Sequence, residues 1–231
     1  MNTAIRAESV TKIYRSGRNA VRAIEDVSLG VSAGELVLLM GPSGSGKSTL
    51  LSVIGCILRP NSGRVLLNGR DVTSLAERDL AGVRLRQIGF VFQDASLFPS
   101  LNAAENVEMP LELLGIRGRE ARSRSAALLA SVGLAPKAAE YPRNLSGGEK
   151  QRVAIARSMA AGAGILLADE PTAALDLSAG RTVFGHLRRL ATEEGRAVVV
   201  VSHDHRMEEF ATRTVHLEDG RLVEQFVGGP A

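Results

Sequence analysis

Hydrophobic and polar positions change their rhythm several times along the chain, and each rhythm predicts a different element. Near the N-terminus the period is two. Ile5, Ala7 and Ser9 fall on one face and Arg6, Glu8 and Val10 on the other, and Val27, Leu29 and Val31 repeat the alternation. Half-buried antiparallel strands are expected there. Glu35 to Met40 is instead a nearly continuous apolar run, as in a strand covered on both faces. It ends in Gly41-Pro42-Ser43-Gly44-Ser45-Gly46. Leu50, Leu51, Ile54, Ile57 and Leu58 then recur at helical spacing until Arg59-Pro60-Asn61-Ser62-Gly63 stops the helix. Ile88 to Phe92 predicts another strand, leading into Gln93. From about Leu101 to Ala160 the pattern is helical, with Ala126, Leu129 and Val132 on apolar faces. Two more buried strands, Ile165 to Ala168 and Ala197 to Val201, bracket a helical stretch from Ser178 to Thr192. Thr214 to Gln225 reads as a hairpin turning at Asp219-Gly220.

Buried strands alternating with helices predict an α/β fold around a parallel sheet. An antiparallel β region precedes that sheet and an all-helical insertion interrupts it. With no internal repeat and no linker-like stretch, the 231 residues are expected to form one domain. Its β and mixed parts cover about 1–93 and 161–231, and its helical part about 94–160.

Composition narrows the function more by exclusion than by indication. A formal net charge of +3 and an aromatic content of 3%, with no Trp, provide neither the basic field nor the stacking platform of a nucleic-acid binder. Cys56 is the single cysteine, which rules out an internal disulfide and fits a reducing compartment. His203 and His205 lie close in sequence without further ligands at metal spacing. No run approaches the ~20 apolar residues of a membrane span, and MNTAIRAESV lacks the apolar core of a signal peptide. A cytoplasmic chain is expected, with any membrane work done through another protein.

Chemistry concentrates in three places. Gly41-Pro42-Ser43-Gly44-Ser45-Gly46-Lys47-Ser48, followed by Thr49, fits the phosphate-binding loop G-x-x-x-x-G-K-[ST], between a buried strand and an amphipathic helix. Its glycines let successive amides face phosphate oxygens at a helix N-terminus. Lys47 would neutralise the outer phosphates and the Ser48 hydroxyl would ligate Mg²⁺. Ile165-Leu166-Leu167-Ala168 delivers Asp169 and Glu170 to the carboxyl end of a central strand, where open α/β sheets bind ligands. Neighbouring strand side chains diverge, so the two acids take different tasks: Asp169 on Mg²⁺, Glu170 as general base for an attacking water. The third place is Leu145-Ser146-Gly147-Gly148-Glu149. Ser146 and Glu149 form an S-x-x-E capping box that opens the helix carrying Val153, Ala156 and Met159. A cap needs no glycine pair in its middle, where glycine weakens a helix, so something is expected to approach that backbone.

LSGGEKQRVAIAR resembles the signature of ABC (ATP-binding cassette) ATPases, and ILLADEPTAALD resembles their Walker B strand and D-loop. The resemblance runs from about Tyr14 to Val223 and implies a P-loop NTPase (RecA-like) core. It also implies a head-to-tail homodimer in which Ser146, Gly147, Gly148 and Glu149 of one copy bind the γ-phosphate of ATP held by the P-loop of the other. By the same resemblance Tyr14 stacks on adenine, Gln93 contacts Mg²⁺ and the attacking water, Asp176 contacts the opposite copy, and His203 bridges Glu170 and the γ-phosphate. Ala173-Ala174 depart from the serine or Gly-Asn pair of many relatives, which is expected to loosen one D-loop hydrogen bond. The stretch from Gln93 to about Gly115 is the expected docking surface for an integral membrane permease. Arg117, Arg119, Arg122 and Arg124 read as a solvated face, with lipid headgroups a second reading. SGRNAVRAIEDVSL before the P-loop strand, LRPNSGRVLLNG after its helix, and RQIGFVFQ with LFPSLNAAENVEMPL resemble most strongly, within the family, the MacB, LolD and FtsE branch. That branch implies export or extraction of a lipoprotein, peptide or hydrophobic compound, without direct contact between cargo and this subunit. Mechanical signalling of the FtsE kind and metabolite import are the alternatives.

Overall fold

The computed structural model describes residues 3–16 and 19–227. Two long strands open the chain, β1 (Thr3–Ser16) and β2 (Asn19–Ser32), followed by β3 (Leu36–Met40) and helix α1 (Lys47–Ile54). Next come β4 (Ser62–Leu67), β5 (Arg70–Asp71), α2 (Glu77–Gln87) and β6 (Ile88–Val91). Three helices follow without an intervening strand: α3 (Ala103–Leu113), α4 (Gly118–Ser131) and α5 (Gly147–Met159). The chain then resumes its alternation with β7 (Ile165–Asp169), α6 (Leu177–Thr192), β8 (Ala197–Val201), β9 (Arg213–Glu218) and β10 (Arg221–Val227).

Two sheets result. One is antiparallel, in the order β2-β1-β4-β5, and the other is six-stranded, in the order β10-β9-β3-β8-β7-β6. In the second, β9, β3, β8, β7 and β6 run parallel, with Leu38 opposite Val200 and Leu166 opposite Val198, and only the β9–β10 hairpin is antiparallel. All of β3 and β8 is buried because the sheet is covered on both faces. Alternation sorts the same strand between two cores. Leu36, Leu38 and Met40 join Val153, Phe184 and Leu187 of the α5 and α6 layer. Val37 and Leu39 join Leu50 and Ile54 of α1 and Ile5, Val27 and Val31 of the antiparallel sheet.

Three local expectations need correction, and one helix carries no signal in the sequence. Strict alternation in β1 would put Ser9 with Ile5 and Ala7, yet Ala7 and Val10 are both buried and Ser9 is exposed. A β-bulge between them, with Ser9 at φ 48°, inserts one residue and swings Val10 onto the core face. The helix after the glycine-rich loop ends at Ile54, not Leu58. Gly55 caps it where a Cβ would sit 2.2 Å from the Phe90 ring, and Ile57 is 47% exposed. Helix α2 carries no apolar stripe, burying only Leu80 and Val83, and periodicity therefore gave no sign of it. On α4 the buried line is Ala121, Ser125 and Leu129, while Ala126 faces solvent. No helix among the described residues is long and apolar enough to cross a membrane.

Candidate nucleotide site

The loop from Gly41 to Thr49 joins the carboxyl end of β3 to α1, and two glycines make its path possible. Gly41 has φ 142° and a Cβ there would lie 2.0 Å from the Leu217 carbonyl oxygen. Gly46, at φ 103°, would put a Cβ 2.1 Å from the Ala23 oxygen. The loop is thus pressed against β2 and β9 on one side and open on the other. The open side is a cleft of about 640 Å³, lined by Ala23, Gly41, Pro42, Ser43, Gly44, Gly46, Lys47, Ser48, Thr49, Gln93, Glu170, Ala173 and His203. Ser45 is the one loop residue that does not line the cleft: its side chain is buried, and its carbonyl accepts from Gly220 N at 3.1 Å. The first-turn amides of α1 have no intrahelical acceptor, which suits this end of the cleft to an anion.

Lys47 folds back on its own loop. Its Nζ donates to the carbonyls of Gly41 and Pro42, both at 2.8 Å, and lies 3.5 Å from Ser45 Oγ. Burial holds its pKa below the ordinary lysine value, against the opposing pull of Glu170 and Asp169. Beside it, Ser48 Oγ donates to Asp169 Oδ1 at 3.0 Å, joining the first turn of α1 to the end of β7. Burial raises the Asp169 pKa above the ordinary carboxylate value, partly offset by the Ser48 hydrogen bond and reinforced by Glu170. A half-buried carboxylate and a hydroxyl at one end of the cleft are hard oxygen donors that suit Mg²⁺.

The two acids diverge more sharply than strand alternation alone requires. β7 ends at Asp169, and Glu170 turns into the left-handed region at φ 47° while its N–H still donates to the Val201 carbonyl at 3.0 Å. This turn brings Glu170 Oε1 to 2.9 Å from Nδ1 of His203, which follows β8. Non-glycine residues in this conformation cluster at functional sites. His205 does not join them and pairs with Glu208 at 2.7 Å. Tyr14 lies near the end of β1, 44% exposed, with Lys12 Nζ 5.7 Å from its ring centre. It does not line the cleft, whereas Ala23, which sequence reasoning passed over, does.

The Ser146–Glu149 segment stands apart from the cleft. Ser146 caps α5 reciprocally: Glu149 N donates to Ser146 Oγ at 3.3 Å, and Ser146 N donates to Glu149 Oε2 at 2.8 Å. That backbone donor is the main reason the Glu149 pKa falls. The glycine pair has a reason inside the chain as well. A Cβ on Gly147 would stand 3.0 Å from Leu175 Cδ2, and one on Gly148 would stand 3.1 Å from Ala179 Cβ. Asp176 begins α6, its Oδ1 accepting from Ala179 N at 2.9 Å. The cleft and the α5 start meet at Gln93, which lines both the larger cleft and a smaller one of about 160 Å³ shared with Gly147, Lys150 and Gln151. Gln151 was not foreseen. It is a polar residue one turn before Ile155 on a buried helix face, and that position was the available signal. Cys56 is buried, its thiol pushed up to about 11, and takes no part.

Comparison with known proteins gives the family. The family model described as ABC transporter matches residues 24–173. The chain is 45% identical to an uncharacterized ABC transporter ATP-binding protein of Thermotoga maritima, covering 96% of this chain and 94% of that one. It is 44% identical to the macrolide export ATP-binding/permease protein MacB of Burkholderia pseudomallei over 93% of its own length. It spans only 33% of that protein, so the chain corresponds to about a third of the MacB relatives it matches. Among solved structures, a dimeric post-hydrolysis state of the ATP-binding cassette MJ0796 bound to ADP and Pi aligns with TM-score 0.90 and 40% identity, covering 96% of this chain and 98% of that one. The cbiO1 protein from Clostridium perfringens aligns with TM-score 0.87 at 26% identity. Family model, relatives and cassette structures converge, and the chain belongs to the ABC transporter family.

Proposed function

We propose that this chain hydrolyses ATP as a head-to-tail pair and drives a membrane permease. The observation that carries this reading is a separation. The P-loop, Glu170, His203 and Gln93 line one cleft, while none of Ser146, Gly147, Gly148 or Glu149 reaches it. A helix start with a serine hydroxyl is an anion site in search of an anion, and a second copy would bring one. That MJ0796 was solved as a dimer bound to ADP and Pi supports pairing of two copies.

In this reading Lys47 leaves its loop carbonyls for the outer phosphates of ATP. Ser48 and Asp169, with Gln93, hold Mg²⁺, which when bound neutralises phosphate charge. Glu170 accepts the proton of the water that attacks the γ-phosphorus, as the bond to the bridging oxygen of ADP breaks. His203, joined to Glu170 through Nδ1, keeps that carboxylate oriented. Tyr14 flanks the base, and Asp176 meets the partner copy. Loss of the γ-phosphate removes the shared ligand and the pair reopens, a ligand-biased two-state switch. Phe98 and Leu113, 45% and 66% exposed, lie within the Gln93–Gly115 stretch and support it as the docking face for a permease. The subunit then sits on the cytoplasmic side of the membrane, and the MacB likeness favours export of a hydrophobic compound, peptide or lipoprotein.

Glu170→Gln tests the core of the proposal. ATP binding, read by a fluorescent analogue, should stay within about threefold of the parent, while turnover falls by ~10²-fold or more. Light scattering should show a dimer that forms only with ATP. Ordinary turnover in that variant, or a monomer at saturating ATP, would overturn the assignment.

A further inference from the structure

Two side chains of α5 reach across to the segment that follows β6. Gln151, 3% exposed, donates from Nε2 to the carbonyls of Phe92 at 3.1 Å and Gln93 at 2.7 Å. Arg157 donates from Nη1 to the Ser96 carbonyl at 2.7 Å and from Nη2 to the Ala95 carbonyl at 2.9 Å. A single helix thereby holds the carbonyls of residues 92, 93, 95 and 96. The segment they hold is bent against its own preference: Ala95 and Ser96 sit at φ 61° and 45°, and Asp94 closes the bend by accepting from Ser96 N at 3.0 Å.

Stability alone does not account for this clamp. Gln151 Oε1 is buried with no hydrogen-bond partner, a cost that an apolar side chain of similar volume would avoid. The Arg157 guanidinium, half-buried, is likewise bonded to neutral carbonyls, and burial pushes its pKa down against the opposing pull of the Asp94 carboxylate. Both residues spend favourable packing to fix a short piece of backbone. That piece carries Gln93, which faces the nucleotide cleft, and the helix doing the fixing begins at Ser146.

We propose that Gln151 and Arg157 are positioning residues that lock the Phe92–Ser96 segment to α5, so that Gln93 in the cleft and Ser146 at the helix start shift as one body. The inference rests on the nucleotide roles given to Gln93 and Ser146 above. Phosphate chemistry at one copy's cleft is then transmitted through two side chains to the helix that contacts the other copy's nucleotide. A purely structural role would tie activity to stability; a positioning role separates them.

Steady-state ATPase of the full chain, with thermal melting alongside, decides between them. Gln151→Met conserves volume and removes both donors. It should melt within about 3 °C of the parent, or above it, yet lose ~10-fold in kcat with KM for ATP changed less than about threefold. Arg157→Lys, which keeps the charge and loses the fork, should lower kcat in the same manner. In a Gln93→Ala background the Gln151→Met loss should shrink below about twofold, because the group it positions is gone. Unchanged kcat in Gln151→Met and Arg157→Lys, an undiminished loss in the Gln93→Ala background, or a kcat that falls only as far as melting does would overturn the clamp. Ser146→Ala and Glu170→Gln in the same assay keep the two claims apart. If both turn over normally, the nucleotide-site reading is what fails; if both are dead while Gln151→Met is fully active, the clamp alone fails.

Discussion

Asp169 carries a conflict that a single substitution exposes. Burial raises its pKa above the ordinary value of 3.8, so the folded chain disfavours the ionised form that a cation would need. A carboxyl group whose pKa rises on folding adds stability below its unfolded value. That contribution is lost as pH climbs through the folded value. At neutral pH the charged side chain is therefore a net cost without nucleotide. Asp169→Asn should melt a few degrees higher than the parent at pH 7, and the gain should vanish in melts run below about pH 3.8, while ATP turnover is abolished. A variant that melts lower at pH 7 would remove burial as the dominant influence on this group. Glu170 shows a related economy in backbone form. Its φ of 47° is the local strain that turns a carboxylate from β7 toward His203 rather than beside Asp169.

Helix α5 serves two masters. As a helix it needs Ser146 for its cap, and losing that cap costs about 1 kcal/mol. As the phosphate site proposed for it, it would need the hydroxyl uncharged. Ser146→Asp separates the tasks, since aspartate caps helices as well as serine does. Its melting temperature should match the parent, and turnover should fall ~10²-fold because a carboxylate now stands where the partner's γ-phosphate must dock. Turnover that follows melting alone would return Ser146 to a capping role. Elements also differ in how plainly they announce themselves. The buried strands β3, β7 and β8 and the capped α5 were legible because pattern and punctuation agree. Helix α2 was not, because its contacts bury only two apolar residues, and the β1 bulge was not, because a one-residue insertion leaves composition unchanged. The Gly147-Gly148 pair predicts room for a visitor, yet Leu175 and Ala179 of the same chain already claim part of that room.

For the whole molecule, the proposal of two half-sites on one chain predicts complementation. Lys47→Ala and Ser146→Ala should each be inactive alone. When mixed, half of the dimers contain one site built from an intact P-loop and an intact α5 start. Turnover should recover to roughly a quarter of the parent's if sites act independently. No recovery on mixing, with dimers present, would place both groups in one chain's site. Much of this arrangement was present in the chain's order of residues: the phosphate loop, the paired acids, the capped glycine pair and the parallel α/β core all follow from short-range pattern and local backbone chemistry. Tertiary structure alone decided what meets what. It set Ser48 against Asp169 across 121 positions and Glu170 against His203 across 33, tied Gln151 to the Gln93 backbone, and kept the α5 start out of its own cleft. The reason is physical: periodicity reports which face of an element is buried, whereas side-chain encounters depend on strand order, strand-end dihedrals and helix packing, which no single stretch of sequence contains.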